Sequence, residues 1–438
     1  IDVRFMLPSC VPATPMDESG ANLDYRAIDS FYDYPRVQGL AEMMNSYGVI
    51  HNDPEVVSKI VASQAHHKKI DGHAPGLQGK DLDTYVAAGV YSDHECATME
   101  DALAKLQRGQ FIMIREGTAA RNLEALAPLL TPQYAERCMF CTDDKHPSDL
   151  LEKGHIDYIA REAINKYGVD PIIAVKAACH HASRYFLLNN RGAIAPGYLA
   201  DFAVIDNFKD FNVEMVFKKG VLYWNNGELR DFEAPKIEEY LDKRAHDTFH
   251  VSTLTPDDFR DTRQRGVLGM VPGEIITTDN GYADHVDLEK DILKIAVVER
   301  HKGTHHIGLG YIQGYGLKSG AVATSISHDS HNIIVVGTNS ADMAFAANYI
   351  VEHHGGIVVV ENGTVKGSVV LEIAGIMSDR PLTEVNDQLE AAKDAAFTLG
   401  VSRGIDPFMT LSFMALPVIP KLRITTRGVV DVDTQQYV

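Results

Sequence analysis

Short apolar runs alternate with helix-forming segments over the first 188 residues, and this alternation constrains the fold more than any other feature. The runs occupy residues 3–7, 39–44, 69–72, 86–92, 111–114 and 138–142. Between them, residues such as Ile156, Ile159 and Ala163 recur at the spacing of one helix face. Strands that alternate with helices predict a parallel sheet covered by helices.

The count of these units predicts an incomplete barrel. Six β/α units are present, whereas a closed (β/α)₈ barrel requires eight. The chain also opens at Ile1, not at Met, on an apolar run. We therefore expect the fold class to be α/β, with an incomplete (β/α)₈ barrel that contains strands three to eight.

The pattern changes after residue 188, and we expect three domains. The barrel occupies residues 1–188, part of a small β-sandwich occupies 189–235, and an α+β domain occupies 236–438. In the last region the sequence predicts a strand over 332–336, a helix over 339–354 capped by Ser340, and a hairpin over 357–373 around Asn362-Gly363.

Composition excludes several classes of function. Lys and Arg number 41 and Asp and Glu number 60, so the formal net charge is −19, which argues against nucleic-acid binding. No apolar stretch approaches the roughly 18 residues that span a bilayer. The five cysteines are too few for a disulfide framework and suit a reducing cytosol, so we expect a cytoplasmic protein without a membrane partner.

Four side chains at the ends of predicted strands could converge on one metal. They are Glu42, His73, His94 and Asp143, each at the end of a different predicted strand. Barrel enzymes place their chemistry at the carboxyl ends of the strands. One such residue alone would be an ordinary polar strand end, but four together favour a site for Mn²⁺, Fe²⁺ or Zn²⁺.

Other polar groups leave alternatives open. Arg115 and Glu116 could contact a substrate or form a surface ion pair. Cys138 and Cys141 have C-x-x-C spacing, but residues i and i+3 of a strand face opposite sides, which favours core thiols over a zinc site. Residues 328–331 (HDSH) could bind metal, although a polar loop before the next strand is the favoured interpretation.

Several motifs resemble the bacterial adenine deaminases of the amidohydrolase superfamily. The motifs cover nearly the whole chain and lie at residues 5–15 (FMLPSCVPATP), 72–77 (GHAPGL), 79–82 (GKDL), 92–96 (SDHEC), 113–117 (MIREG), 140–144 (FCTDD), 191–201 (RGAIAPGYLAD), 328–337 (HDSHNIIVVG) and 406–410 (DPFMT). The motif at 191–201 is shared across the superfamily, whereas the others are specific to these deaminases. The resemblance implies metal-dependent hydrolysis of adenine to hypoxanthine and ammonia, in purine salvage.

The resemblance also implies roles for individual residues. Glu42 would be a bridging carboxylate, and His73 and His94 would be metal ligands. Asp143 would be both a ligand and a proton shuttle, with Asp144 as its rival, so Glu42 and Asp143 are the implied catalytic residues. The implied cofactor is a binuclear Mn²⁺ or Fe²⁺ centre, with Zn²⁺ as a further option.

Further expectations concern substrate, assembly and the missing strands. We assign Arg115, Glu116 and Asp144 to substrate binding, with adenine as the partner, and expect a homo-oligomer. The family's first barrel strand carries His-x-His, and no His-x-His occurs in these 438 residues. Two metal ligands are therefore expected to lie outside this chain.

Two other functions remain open. Another amidohydrolase, acting on a cyclic amide or an N-acyl sugar, would use the same metal ligands. A metal-deficient remnant that serves as a scaffold or partner subunit would explain the absent His-x-His. A cytidine-deaminase type of zinc site is excluded, because it requires His-x-Glu, which the sequence lacks.

Overall fold

The chain divides into two compact units. The computed structural model describes residues 2–118, 120–271 and 274–438. The first unit contains the residues up to Ser9 together with Leu23–Lys236, and the second contains Cys10–Asn22 and Ile237–Val438. Within the described ranges, no helix combines the length and the apolar character that crossing a membrane demands.

Six parallel strands form the centre of the first unit, and at least one helix follows each of them. They are β1 (Phe5–Leu7), β2 (Val37–Met43), β3 (Lys69–Gly72), β4 (Ser92–Asp93), β5 (Phe111–Arg115) and β6 (Cys138–Cys141). Strands β1–β3 form one sheet in chain order, and β4–β6 form a second. The Tyr91 N–H donates to the Ile70 carbonyl at 2.9 Å, just before β4. The predicted parallel α/β arrangement is therefore confirmed for this region.

Ten α-helices are described in this unit, and Asp or Asn caps several of them. They are α1 (Tyr25–Asp29), α2 (Ser46–Ile50), α3 (Pro54–Ala65), α4 (Gly79–Ala87), α5 (Met99–Gln107), α6 (Leu123–Leu126), α7 (Pro147–Glu152), α8 (Ile156–Asn165), α9 (Pro171–Val175) and α10 (His181–Tyr185). At α3, the Asp53 carboxylate accepts from the Glu55 and Val56 N–H groups, and Pro54 occupies the first turn, where a missing N–H costs nothing.

The prediction of a strand over residues 86–92 is wrong for most of that range. Helix α4 continues to Ala87, and only Ser92–Asp93 pair as a strand. Leu82 and Tyr85 of this helix are fully buried three residues apart, as on one helix face. A short apolar run does not by itself distinguish a buried helix from a strand, which explains the error.

Apolar strand residues pack against the helices to form the core of this unit. Leu40 of β2 and Ile70 of β3 belong to one cluster, and Ile112 of β5 with Phe140 of β6 belong to another. Each such side chain contributes about 1.5–3 kcal/mol when it is fully removed from water. This packing fixes the strands, and therefore the side chains at their carboxyl ends.

A small antiparallel sheet completes the first unit. Its strands are β7 (Phe202–Ile205), β8 (Val213–Lys218), β9 (Val221–Asn225) and β10 (Glu228–Leu229), in the order β10-β9-β8-β7. All four strands lie within residues 189–235, the range for which the sequence predicts part of a small β-sandwich.

The second unit is built on an eight-stranded sheet. Its strands are β11 (Arg265–Met270), β12 (Thr277–Ala283), β13 (Ile292–Val298), β14 (Ile307–Gln313), β15 (Ala321–Thr324), β16 (Ile333–Gly337), β17 (Gly356–Glu361) and β18 (Thr364–Val370). The order is β12-β11-β14-β13-β16-β15-β17-β18, and only the β11–β14 pair is parallel. A three-stranded antiparallel sheet follows, with β19 (Leu422–Thr425), β20 (Gly428–Asp431) and β21 (Gln436–Tyr437).

Helices and turns of the second unit follow the sequence closely. The helices are α11 (Glu239–His246), α12 (Ser340–Glu352), α13 (Leu382–Thr398) and α14 (Met409–Phe413). Asn362 and Gly363 both have positive φ, as a type I′ hairpin turn requires, and the predicted hairpin is confirmed. The prediction that Ser340 caps α12 is wrong, because the Asn339 side chain accepts from the Asp342 N–H.

The segment Cys10–Asn22 belongs to the second unit, although it lies between β1 and α1 in the sequence. The Glu18 carboxylate pairs with His306 at 3.0 Å and with Arg427 at 3.0 Å, and the Ser330 hydroxyl donates to Asp17. The Asn332 side chain donates to the Glu18 carbonyl at 2.6 Å. These bonds join residues that are hundreds of positions apart along the sequence, and no local sequence pattern indicates them.

Candidate metal centre

The ends of three neighbouring strands bring Glu42, His73 and His94 together. Glu42 lies in β2, and His73 and His94 directly follow β3 and β4. The Oε2 atom of Glu42 lies 3.1 Å from Nδ1 of His73 and 3.0 Å from Nε2 of His94. The two imidazole rings are 5.4 Å apart between centroids. The expected convergence of these residues is therefore present in the fold.

Glu95 is a fourth member of this cluster, although the sequence indicates it only as a carboxylate neighbour that could orient the His94 imidazole. Its Oε1 atom lies 3.3 Å from Nδ1 of His73 and 3.4 Å from Nε2 of His94. The Glu95 side chain is only 5% exposed. Neighbouring residues of a regular strand face opposite sides. The position of Glu95 directly after His94 in the sequence therefore gives little indication that both side chains reach the same cluster.

These donor atoms fit a divalent transition metal. Two ligands of a tetrahedral ion, each about 2.1 Å from it, are separated by about 3.4 Å. The four nitrogen–oxygen distances in this cluster run from 3.0 to 3.4 Å. Imidazole nitrogens with carboxylate oxygens suit Mn²⁺, Fe²⁺ and Zn²⁺, so the residues fit such an ion in both donor type and spacing.

The electrostatics of the cluster hold Glu42 as an anion. Burial acts to raise its pKa, but hydrogen bonds with His73 and His94 outweigh burial and hold the pKa well below the usual range. Burial acts to lower the pKa of His94, whereas the hydrogen bond and charge of Glu42, with the charge of Glu95, raise it to about 10. The Glu42 and Glu95 carboxylates thus place negative charge beside the two imidazoles, and this charge would favour a bound cation.

Asp143 lies at the edge of the same cluster, just after β6. His94, Glu95 and Asp143 form a second group whose ligand atoms all lie within 4.8 Å of one another. The Asp143 side chain is 31% exposed, and its backbone has a φ of +57°. Aspartate adopts this left-handed conformation more readily than most residues, and such conformations are concentrated at functional sites.

Arg115 connects Asp143 to Glu95. Its Nη1 atom lies 2.5 Å from Oδ2 of Asp143 and 2.5 Å from Oε1 of Glu95, and its Nη2 atom lies 2.7 Å from Oε2 of Glu95. Arg115 is 6% exposed. A forked guanidinium–carboxylate pair is geometrically specific, so Arg115 fixes the orientation of Glu95, and its single bond to Asp143 restrains that acid.

The remaining predicted substrate residues lie on the loops after β5 and β6. The Glu116 carboxylate accepts from the Leu123 N–H at 3.4 Å, and burial raises its pKa. The Asp144 carbonyl accepts from the Thr118 N–H at 2.8 Å. A Cβ at Gly117 would lie 2.6 Å from that Asp144 carbonyl oxygen, so the absence of a side chain there allows the two loops to approach.

The other sequence candidates do not join a metal group among the described residues. Residues 328–331 lie in a turn before β16, where His328 pairs with Asp329 at 3.1 Å. Cys138 and Cys141 lie in β6 as free thiols. Burial raises the pKa of Cys138 to about 12, as expected for a core thiol.

Two protein families match separate parts of this chain, and the candidate metal centre lies within the first of these parts. Residues 1–223 match the amidohydrolase family, and residues 274–436 match the adenine deaminase C-terminal domain. The first match covers every residue of the candidate metal centre and defines the class of protein as an amidohydrolase.

Similar proteins narrow the class further. The adenine deaminase of Desulfatibacillum aliphaticivorans is 44% identical over 446 residues, which cover 100% of this chain and 78% of that protein. The adenine deaminase of Nitratidesulfovibrio vulgaris strain DP4 is 44% identical over 451 residues, covering 100% of this chain and 77% of that protein. The chain therefore belongs to the adenine deaminase branch of the amidohydrolase family.

Among solved structures, a β-aspartyl dipeptidase from Fervidobacterium islandicum AW-1 in complex with a β-Asp-Leu dipeptide has a TM-score of 0.37 and 16% identity. The match covers 47% of this chain and 63% of that chain.

Proposed function

We propose that this protein hydrolyses adenine to hypoxanthine and ammonia at a metal centre that includes Glu42, His73, His94 and Asp143. One observation carries the proposal: these strand-end side chains converge in a chain that aligns along its whole length with adenine deaminases at 44% identity. The named relatives support adenine as the substrate. The charge and spacing of the cluster support the metal.

The metal is Mn²⁺ or Fe²⁺ in a binuclear centre, with Zn²⁺ as the alternative. Support comes from two overlapping ligand groups that share His94, one with Glu42 and His73 and the other with Glu95 and Asp143. When bound, such an ion supplies a Lewis acid and makes water acidic enough to attack at neutral pH.

Asp143 moves protons during the reaction. Attack of water on C6 of adenine releases a proton, and the departing amino group must gain one before ammonia leaves. A partly exposed carboxylate beside the cluster can accept the first proton and donate it to the amino nitrogen. Arg115 holds Asp143 in place for both transfers, and Glu42 contributes the anionic charge between the two imidazoles.

The loops after β5 and β6 bind the purine. Glu116 and Asp144 stand next to Arg115 and Asp143 in the sequence, and the Thr118–Asp144 backbone bond holds the two loops together. The amino group and the ring N–H of adenine can donate to carboxylates, and its unprotonated ring nitrogens can accept from backbone N–H groups. Arg115 takes part through its contact with Asp143.

We assign the fold on the same family basis. Strands β1–β6 and their helices belong to a (β/α)₈ barrel over residues 1–188, and the β7–β10 sheet is part of a β-sandwich over 189–235. Residues 236–438 form the C-terminal α+β domain. The chain-order parallel pairing of β1–β3 and of β4–β6 supports the barrel assignment.

Ammonia release tests the proposed reaction. The full-length protein is freed of metal with a chelator, reloaded with Mn²⁺ or Fe²⁺, and incubated with adenine, with a cyclic amide and with an N-acetylated sugar. We expect adenine to yield equal amounts of ammonia and hypoxanthine, and we expect the cyclic amide and the N-acetylated sugar to remain intact when the reaction is followed by ring opening and by acetate release. Metal binding with hydrolysis of one of the other substrates, and none of adenine, would show a different amidohydrolase. Absence of metal binding would indicate a remnant.

A further inference from the structure

Two buried side chains from the helices of the first unit reach the backbone beside the metal ligands. Tyr85 of α4 and Lys105 of α5 are both fully buried. Each forms hydrogen bonds at the carboxyl ends of two different strands. Neither belongs to the ligand cluster itself.

Tyr85 connects the end of β2 to the end of β3. Its hydroxyl donates to the Met43 carbonyl at 2.7 Å and accepts from the His73 N–H at 3.0 Å. Met43 follows Glu42 directly. A single hydroxyl group therefore joins the backbone next to the carboxylate ligand to the backbone of the first histidine.

Lys105 connects the end of β3 to the end of β4 in the same manner. Its Nζ atom donates to the Ala74 carbonyl at 2.8 Å and to Oδ2 of Asp93 at 3.0 Å. Oδ1 of Asp93 accepts from the Ala74 N–H at 2.8 Å, and Oδ2 accepts from the Glu95 N–H at 3.0 Å. Ala74, the residue after His73, is thus bonded through its N–H to Asp93 and through its carbonyl to Lys105. Asp93 directly precedes His94, so these bonds join the two histidine segments.

The ends of β3 and β4 approach too closely to accommodate a side chain at Gly72. A Cβ at Gly72 would lie 2.1 Å from the Ser92 carbonyl oxygen and 3.2 Å from the Tyr85 hydroxyl.

Oδ2 of Asp101 is the second carboxylate partner of Lys105, at 3.0 Å. A buried ion pair contributes little net stability compared with apolar residues of similar volume, so its use here calls for another reason.

We propose that Tyr85 and Lys105 are positioning residues that set the separations between Glu42, His73 and His94, and thereby the affinity for the metal. The proposal rests on the metal centre assigned above. Loss of an outer contact that orients a ligand typically weakens metal binding by about 10–100-fold. Neither residue touches the substrate or the ion.

Isosteric variants with matched controls test the proposal in the full-length protein. Tyr85→Phe removes one hydroxyl, and its control is Tyr32→Phe, a buried tyrosine bonded to Ser63. Lys105→Met removes the ammonium group. Its control is Lys68→Met, a lysine of the same unit that donates to the Val37 carbonyl, at the opposite ends of the strands.

The readouts are the Mn²⁺ dissociation constant, measured by competition with a chelator, and the visible spectrum of the Co²⁺-loaded protein. We expect Tyr85→Phe and Lys105→Met each to weaken Mn²⁺ binding by about 10–100-fold and to change the Co²⁺ spectrum. The controls should lose thermal stability without either change. Wild-type affinity and spectrum in folded Tyr85→Phe and Lys105→Met would overturn the proposal.

Two provisions keep the test decisive. If Lys105→Met does not fold, Asp93→Asn replaces it, because Lys105 then keeps Asp101 and the Ala74 carbonyl as partners.

If the wild-type protein binds no divalent ion, the metal assignment fails, and crystal structures decide the positioning claim. A separation between the His73 and His94 rings that differs from the wild type by about 1 Å or more, in Tyr85→Phe and in Lys105→Met or its substitute Asp93→Asn, supports the claim, and unchanged separations overturn it. Failure to deaminate adenine affects neither readout.

Discussion

The Nη1 atom of Arg115 lies 2.5 Å from Oδ2 of Asp143, so a buried cation holds the carboxylate to which we assign proton transfer. The same guanidinium is paired with Glu95 through two further bonds. Arg115 thereby connects the end of β5 to the segments after β4 and β6. It acts on the reaction through the orientation of these two acids.

Replacement of Arg115 by Gln should impair catalysis. The variant leaves the Glu95 and Asp143 charges without their shared cation, so the two acids repel each other and Asp143 loses its orientation. We expect kcat for ammonia release to fall by about 10²-fold. Arg108→Gln is the control, because Arg108 pairs with Asp83 at the surface. A kcat equal to that of the wild type would show that Asp143 needs no such support.

Replacement of Glu42 by Gln should lower metal content. An amide retains the shape of the side chain but lacks the anionic oxygen that lies between His73 and His94. We expect a loss of affinity beyond the roughly 10–100-fold that follows from losing an outer contact. Metal analysis after dialysis measures the loss, with the exposed Glu55→Gln as the control. Full metal content in Glu42→Gln would remove Glu42 from the ligand set.

Asp17 should make the second unit less stable as the pH rises. Burial raises the pKa of Asp17 from 3.8 to about 6 in the folded state. Between about pH 4 and pH 6 the folded state therefore binds more protons than the unfolded state does. Stability therefore decreases as the pH rises through this window. Asp17→Asn removes the cost of burying an ionised carboxylate. It should stabilise the protein at pH 7, on the order of 2–3 kcal/mol, with no gain below about pH 4.

Urea unfolding at several pH values, followed by a probe in the second unit, measures this effect. The exposed Asp33→Asn serves as the control and should show the pH dependence of the wild type. A gain for Asp17→Asn that is equal at low and neutral pH would exclude the buried carboxyl as its source.

Asn339 should stabilise helix α12 more than Ser340 does. The Asn339 side chain accepts from the Asp342 N–H at 2.8 Å, which satisfies one of the free N–H groups of the first turn. Asn339→Ala should lower the free energy of unfolding by about 1 kcal/mol. Ser340→Ala loses only a 3.2 Å bond to the Phe259 carbonyl and should cost less. A larger loss in Ser340→Ala would restore serine as the cap.

Local chemistry made much of the fold predictable. The strand over Lys69–Gly72 matches the predicted range, and its residues alternate between partly buried and buried, as the two-residue period of a strand requires. The hairpin at Asn362-Gly363 was equally clear, since only a few residue types adopt positive φ at low cost. By contrast, residues 86–92 were misassigned, because an apolar run without clear periodicity fits a helix as well as a strand.

The sequence alone determined which residues could bind a metal, because ligand chemistry belongs to the side chain and strand ends are visible in the hydrophobic pattern. Glu42, His73 and His94 are recognisable in this way. Only the tertiary structure decided that Glu95 joins them, that Arg115 pairs with Asp143, and that residues 10–22 belong with the second unit. Those contacts join positions distant along the chain, and their geometry depends on how whole strands and helices pack, which no local pattern encodes.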